Sequence, residues 1–162
     1  MWKHTIIYIE NSVFGFYYDE KPENKTKMET TRSLFNQIKN GMFKAFTSPL
    51  TIKELSETPI LHREKLLSLV SNYNIEVVNV EQEELDILVE KYLSENIVPD
   101  EYKDDARHVA FATLLRVDIL VSFNLEHIAN EWSSRKFNAV NLKEGYSTII
   151  IRTPEEVIHY GS

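Results

Sequence analysis

Four oxygen-bearing side chains recur at similar places along this chain: Glu10, Glu54, Asp105 and Asn124. Glu10 and Asn124 each follow an apolar, strand-like run. Glu54 and Asp105 each fall in the first turn of a helix-like segment. Carboxylates and an amide carbonyl form the hard donor set that Mg²⁺ or Mn²⁺ takes. Gathered carboxylates repel one another, so such a cluster normally needs a cation. A cation held there polarises a phosphate, lowers the pKa of bound water and positions that water for in-line attack. No Walker-type or zinc-finger signature accompanies the four.

Plainer readings stand beside these. Glu10 also reads as an exposed turn residue. Thr51 and Glu54 have the spacing of a capping box, which gives Glu54 a purely structural role. His108, one turn on from Asp105, either orients a water or phosphate or is a hydrogen-bonded, partly buried helix residue. His127, in the turn after Asn124, has the same two readings. His4, His62 and His159 fit no zinc spacing. Ser12 and Ser122 have no local His–Asp partners, which argues against a nucleophilic serine. The four glycines form no phosphate-cradling loop. The aromatic stretch 13–18 is either a core-packed loop or helix start, or a base-stacking platform.

The elements that must position these groups alternate between the two regular types. Residues 4–9 are β-branched and aromatic, hence a strand. Residues 28–46 show apolar positions at Leu34, Phe35, Ile38, Met42 and Phe43, a long amphipathic helix with Gly41 near its end. Residues 45–48 read as a short strand. A helix opens at Thr51, another covers residues 59–73, and residues 75–80 read as a strand. Residues 81–96 form a helix whose acidic first turn suits the helix dipole. Ala106, Val109, Ala110, Thr113 and Leu114 recur at helical spacing, and residues 118–122 are a strand covered on both faces. Residues 131–143 are polar and weakly patterned. Residues 147–151 are a last strand. Thr153, Pro154 and Glu156 open a terminal helix with a capping box. This alternation indicates an α/β sandwich, its mainly parallel central sheet flanked by helices. In such sheets ligands bind at the carboxyl ends of strands, so Asp105 and Asn124 can share one crevice.

With 162 residues, one domain over 1–162 is expected. Hydrophobic residues are 43% and charged residues 27%, ordinary for a globular protein. The absence of cysteine excludes disulfides and thiolate metal sites. No apolar run approaches a membrane span, and residues 1–9 do not read as a signal peptide, so a cytoplasmic location is expected. The formal charge of -7 excludes a general nucleic-acid coat. It leaves open an enzyme that reaches phosphate through a cation.

The segments IIYIENSVFGFYYDE, SPLTIKEL, DARHVAFAT and LVSFNLEHIAN, in this order and with the closing NLKEGYSTIIIRTPEEV, resemble PIN domains. They look like the VapC-like toxin branch of type II toxin–antitoxin systems. The resemblance implies a parallel-sheet fold and a Mg²⁺- or Mn²⁺-dependent endoribonuclease leaving 5′-phosphate and 3′-hydroxyl ends. It places Glu10 at the first acid with Ser12 in the hydroxyl position, Glu54 at the second and Asp105 at the third. The fourth falls on Asn124, with Ser122 in the hydroxyl position and Glu126 at the following acid. Glu10, Asp105 and Asn124 are then the expected metal ligands. Ser12, Ser122, Glu126 and His108 are expected to position substrate or water. Two departures stand out: Glu10 is one methylene longer than the family's Asp, and Asn124 removes a charge that Glu126 can restore only by reaching inward. Also implied are an RNA substrate, an antitoxin whose basic tail enters the acidic site, and a homodimer. The alternative is a PIN-fold module that binds RNA or a protein partner without cleavage.

Overall fold

The computed structural model describes residues 4–159. Five strands form one parallel sheet: β1 (Thr5–Ile9), β2 (Phe43–Thr47), β3 (Glu76–Val77), β4 (Ile119–Val121) and β5 (Ile150–Arg152). Their order across the sheet is β3-β2-β1-β4-β5. The chain therefore builds outward on one side of β1, then returns to build on the other. Ile7 pairs with Ala45 on one side and with Ile119 on the other. The strand order reverses between β1 and β4, and in such sheets ligands bind at the carboxyl ends of the strands at that point.

Eight α-helices cover the two faces among the described residues. Alternation along β1 sorts the core. Ile7 and Ile9 face a cluster built from α1 (Asn11–Phe16), α2 (Lys25–Lys39), α4 (Ile60–Asn72) and α8 (Pro154–Ile158). Tyr8 faces the opposite cluster, with α5 (Gln82–Ser94), α6 (Lys103–Leu114) and α7 (Glu131–Lys143). The short α3 (Pro49–Ser56) follows β2. Strands covered on both faces read as unbroken apolar runs, which is why β1 and β4 stand out in the sequence.

Several elements depart from the sequence reading. The helix expected over residues 28–46 ends at Lys39, and Gly41, at φ 83°, turns the chain into β2. Met42 and Phe43 keep helical spacing by coincidence. The strand expected over residues 75–80 is only Glu76–Val77, and the last strand lies at Ile150–Arg152. Residues 131–143 are helical, capped by Asn130, whose side chain accepts from the Ser133 N–H at 2.8 Å. The capping box at Thr51 is not formed. Ser48 caps α3, with Pro49 at its first position, so the helix starts earlier and Glu54 is free for another partner. The box at Thr153 and Glu156 is present as expected. The 13–18 stretch contributes α1, with Val13 and Phe14 fully buried. No helix among the described residues is long and apolar enough to cross a membrane.

Candidate functional site at the carboxyl edge of the sheet

Glu10 leaves β1 in extended conformation and caps α1. Its N–H donates to the Val121 carbonyl at 3.1 Å, which extends the ladder between β1 and β4 by one residue. The side chain is almost fully buried, 2% exposed, so it is not the exposed turn residue of the plainer reading. A buried carboxylate must be paired or hydrogen-bonded, and this one is held by two serines. Oε1 accepts from Ser12 Oγ at 2.5 Å and Ser122 Oγ at 2.6 Å. Oε2 accepts from the Ser12 N–H at 3.1 Å. Each carboxylate oxygen offers about two acceptor positions, so Oε1 is filled and Oε2 keeps one.

The serines tie Glu10 to the loop after β4. Phe123 N–H donates to Ser12 Oγ at 2.9 Å, and Asn124 N–H donates to Ser122 Oγ at 2.9 Å. Asn124 Oδ1 turns back to accept from the His127 N–H at 3.0 Å. Its oxygen thus closes its own turn. His127 Nδ1 and Asp105 Oδ2 share a hydrogen bond of 2.8 Å. An unbroken series of hydrogen bonds therefore runs from Glu10 through Ser122, Asn124 and His127 to Asp105. Glu126 stays at the surface, 82% exposed, with Oε1 3.6 Å from His127 Nε2, and does not reach inward.

A second branch begins at Tyr8, on the central strand two residues before Glu10. Its hydroxyl bonds Ser48 Oγ at 2.7 Å and His108 Nδ1 at 2.8 Å. His108 Nε2 bonds Glu54 Oε1 at 2.5 Å. His108 is fully buried, with both ring nitrogens engaged by Tyr8 and Glu54. Burial disfavours the imidazolium, but Tyr8, the hydrogen bond to Glu54 and the charges of Glu10 and Glu54 outweigh it. They hold its pKa well above 6.5. A pKa raised by folding stabilises the fold fully below the unfolded value near 6.5, and that contribution fades as pH rises through the folded value. His108→Gln is therefore expected to flatten the loss of thermal stability as pH rises above about 6.5. Melting curves across a pH series read this directly; an unchanged profile would show that His108 is not charged in the fold.

Thus the residues expected at the site fall into two hydrogen-bonded groups, Glu10, Ser12, Ser122, Asn124 and Asp105 in one and His108 with Glu54 in the other. Tyr8, Ser48 and His127 join them. Tyr8 carried a usable signal, since it shares a strand face with Glu10 at i, i+2. The partnership of His127 with Asp105 had none, because the two are distant in sequence.

Among the described residues no three His, Asp or Glu side chains stand close enough to hold one metal ion. The donor chemistry nonetheless suits a hard cation taken up together with phosphate. Glu54 Oε1 and Asp105 Oδ2 are engaged by imidazoles, which leaves the second oxygen of each carboxylate, and both side chains are about one-fifth exposed, at 21% and 19%. Mg²⁺ keeps several of its waters and needs only one or two carboxylates beside phosphate oxygens. Compared with known proteins, the chain matches no family model and has no significant match among curated proteins.

Proposed function

We propose that this chain is a Mg²⁺- or Mn²⁺-dependent endoribonuclease of the PIN class, which its sequence resembles, acting as the toxin of a type II toxin–antitoxin pair. One observation carries the reading. Hydrogen bonds tie Glu10, which follows the central strand, to Asp105 at the start of α6 through the loop after β4, while Glu54 is held by His108 of the same helix and Tyr8 of the same strand. One or two of the carboxylates of Asp105, Glu54 and Glu10 would hold the cation together with phosphate oxygens and water, which is all that Mg²⁺ needs from protein. The cation supplies Lewis-acid polarisation of the phosphate and a bound water of lowered pKa.

The chain's own residues do the positioning. Ser12 and Ser122 fix the Glu10 carboxylate, and His108 fixes Glu54. His127 holds one oxygen of Asp105 and leaves the other for the cation. Asn124 sets the turn that carries His127. The products would carry 5′-phosphate and 3′-hydroxyl ends. An antitoxin with a basic segment, and a second copy of the chain, are the partners that fit this reading.

The test is direct: purified protein is incubated with varied RNAs in EDTA, Mg²⁺ or Mn²⁺. Cleavage only with the cation, together with a melting temperature that rises with Mn²⁺, is expected. The rival reading, a module that binds without cutting, is favoured by the engagement of Asn124 Oδ1 and the near-saturation of Glu10. RNA bound but never cut, with no Mn²⁺ stabilisation, would establish it.

A further inference from the structure

Rings from both helical layers reach the acidic edge, and the site as described gives them no role. Phe16 and Phe123 meet edge to face, 4.8 Å between centroids, and both are half-buried. Lys27 Nζ lies 4.9 Å from the Phe16 centroid and 5.8 Å from that of Phe123. Phe123 sits between Ser122 and Asn124, and its N–H is bonded to Ser12 Oγ. The backbone carrying its ring is thus locked to a hydroxyl that holds Glu10. Tyr102, 46% exposed, lies against His127 at 4.3 Å between centroids, and His127 holds Asp105. Phe123 packs with the layer of α1 and α2, whereas Tyr102 leads directly into α6 on the other face. One ring group is thus linked through Ser12 to Glu10, and the other through His127 to Asp105.

Charge cannot supply much affinity here. The chain carries -7, and the cations at the entrance of α6 are already paired: Lys103 with Glu90 at 3.0 Å and Arg107 with Asp104 at 2.6 Å. A polyanion that docks at this edge must gain its binding elsewhere. Aromatic faces supply it, because every nucleobase has a face to stack.

We propose that these rings form a base-stacking subsite for unpaired RNA. The base on one side of the reacting phosphate stacks on Tyr102, the base on the other side stacks at Phe123 and Phe16, and Lys27 meets a neighbouring phosphate. This rests on the nuclease reading and names the form of its substrate. Bases inside a duplex are stacked on each other and cannot reach side-chain rings, so the subsite selects splayed single strands.

Fluorescence anisotropy tests it with the intact protein in EDTA, where a labelled single-stranded oligoribonucleotide is compared with an abasic strand of equal length and charge. The intact strand is expected to bind about tenfold to a hundredfold more tightly than the abasic one. Tyr102→Leu and Phe123→Leu should each remove about tenfold or more of that difference, and Tyr102→Phe and Phe123→Trp should restore it. Tyr102 is exposed, so its variant carries the test even if Phe123→Leu unfolds. Equal binding of the two strands, or leucine variants that bind like wild type, overturns the subsite while leaving cation-dependent cleavage intact. No binding and no cleavage of any RNA overturns both.

Discussion

Glu10→Ala is expected to lose about 3 kcal/mol of stability, which for a chain of this size lowers the melting temperature by about 10 °C. The carboxylate accepts from two hydroxyls and one backbone N–H in a nearly water-free position. Its removal leaves donors from two loops without an acceptor, and an unsatisfied buried donor costs roughly 1–3 kcal/mol. The refund from no longer burying a charge offsets part of this. Glu10→Gln separates the contributions. Its carbonyl can still accept at Oε1, but its NH₂ would face the Ser12 N–H, donor against donor. An intermediate loss is expected. Chemical denaturation of the three proteins provides the measurement. A Glu10→Ala protein as stable as wild type would mean the serine–glutamate–serine link does not exist in solution. Cleavage should be lost in both variants.

Asp105→Asn should do the reverse, sparing the fold and removing the activity. Asn keeps the size of Asp and an oxygen that can still accept from His127, so the 2.8 Å contact has a substitute. The side chain is partly exposed, so little burial is lost. The melting temperature should move by less than about 4 °C, the equivalent of about 1 kcal/mol. Cation-dependent RNA cleavage should fall by about a hundredfold or more, roughly 3 kcal/mol of transition-state stabilisation. Stabilisation by Mn²⁺ should shrink in parallel, because the same carboxylate serves both. Undiminished cleavage by Asp105→Asn would remove Asp105 from the chemistry and place the reaction elsewhere on the molecule.

How far the fold could be read from the chain depended on whether the deciding contacts were local. β1, α6, β4 and the capped start of α8 are set by short apolar runs or by a cap within four residues, and each is visible in the sequence. α7 was hidden because its buried face includes polar residues. Ser133 and Asn141 occupy core positions beside Phe137 and Val140. Asn141 belongs there only because it accepts from the Tyr92 hydroxyl at 2.5 Å and donates to Thr113 Oγ1 at 3.1 Å. No periodicity of apolar residues anticipates such partners. The end of α2 was misplaced for the opposite reason, since Met42 and Phe43 extended a helical pattern that Gly41 interrupts.

The site shows the same division. Glu10, Asp105 and Asn124 could be picked out from their places after strands and at a helix start, whereas Glu54, expected in a first turn, lies near the end of α3. Their engagements could not. The spacing of Thr51 and Glu54 leaves a capping box and a functional role equally open, because the Ser48–Pro49 start of α3 and the partner of Glu54, His108, both lie outside that spacing. Asn124 was foreseen as a ligand, yet its oxygen is turned into its own loop.

Because β1 lies at the centre of the sheet and takes its neighbours from both halves of the chain, the site is finished late in synthesis. A ribosome that has released residues up to β3 has delivered Glu10, Ser12 and Glu54, but neither His108, the partner of Glu54, nor Ser122. Pairings this distant also close slowly, since chain must be brought together across a long loop before any contact rewards it. On a nascent polypeptide the acidic edge is therefore unassembled, and its arrangement arrives only once the segment from His108 to His127 has emerged and docked.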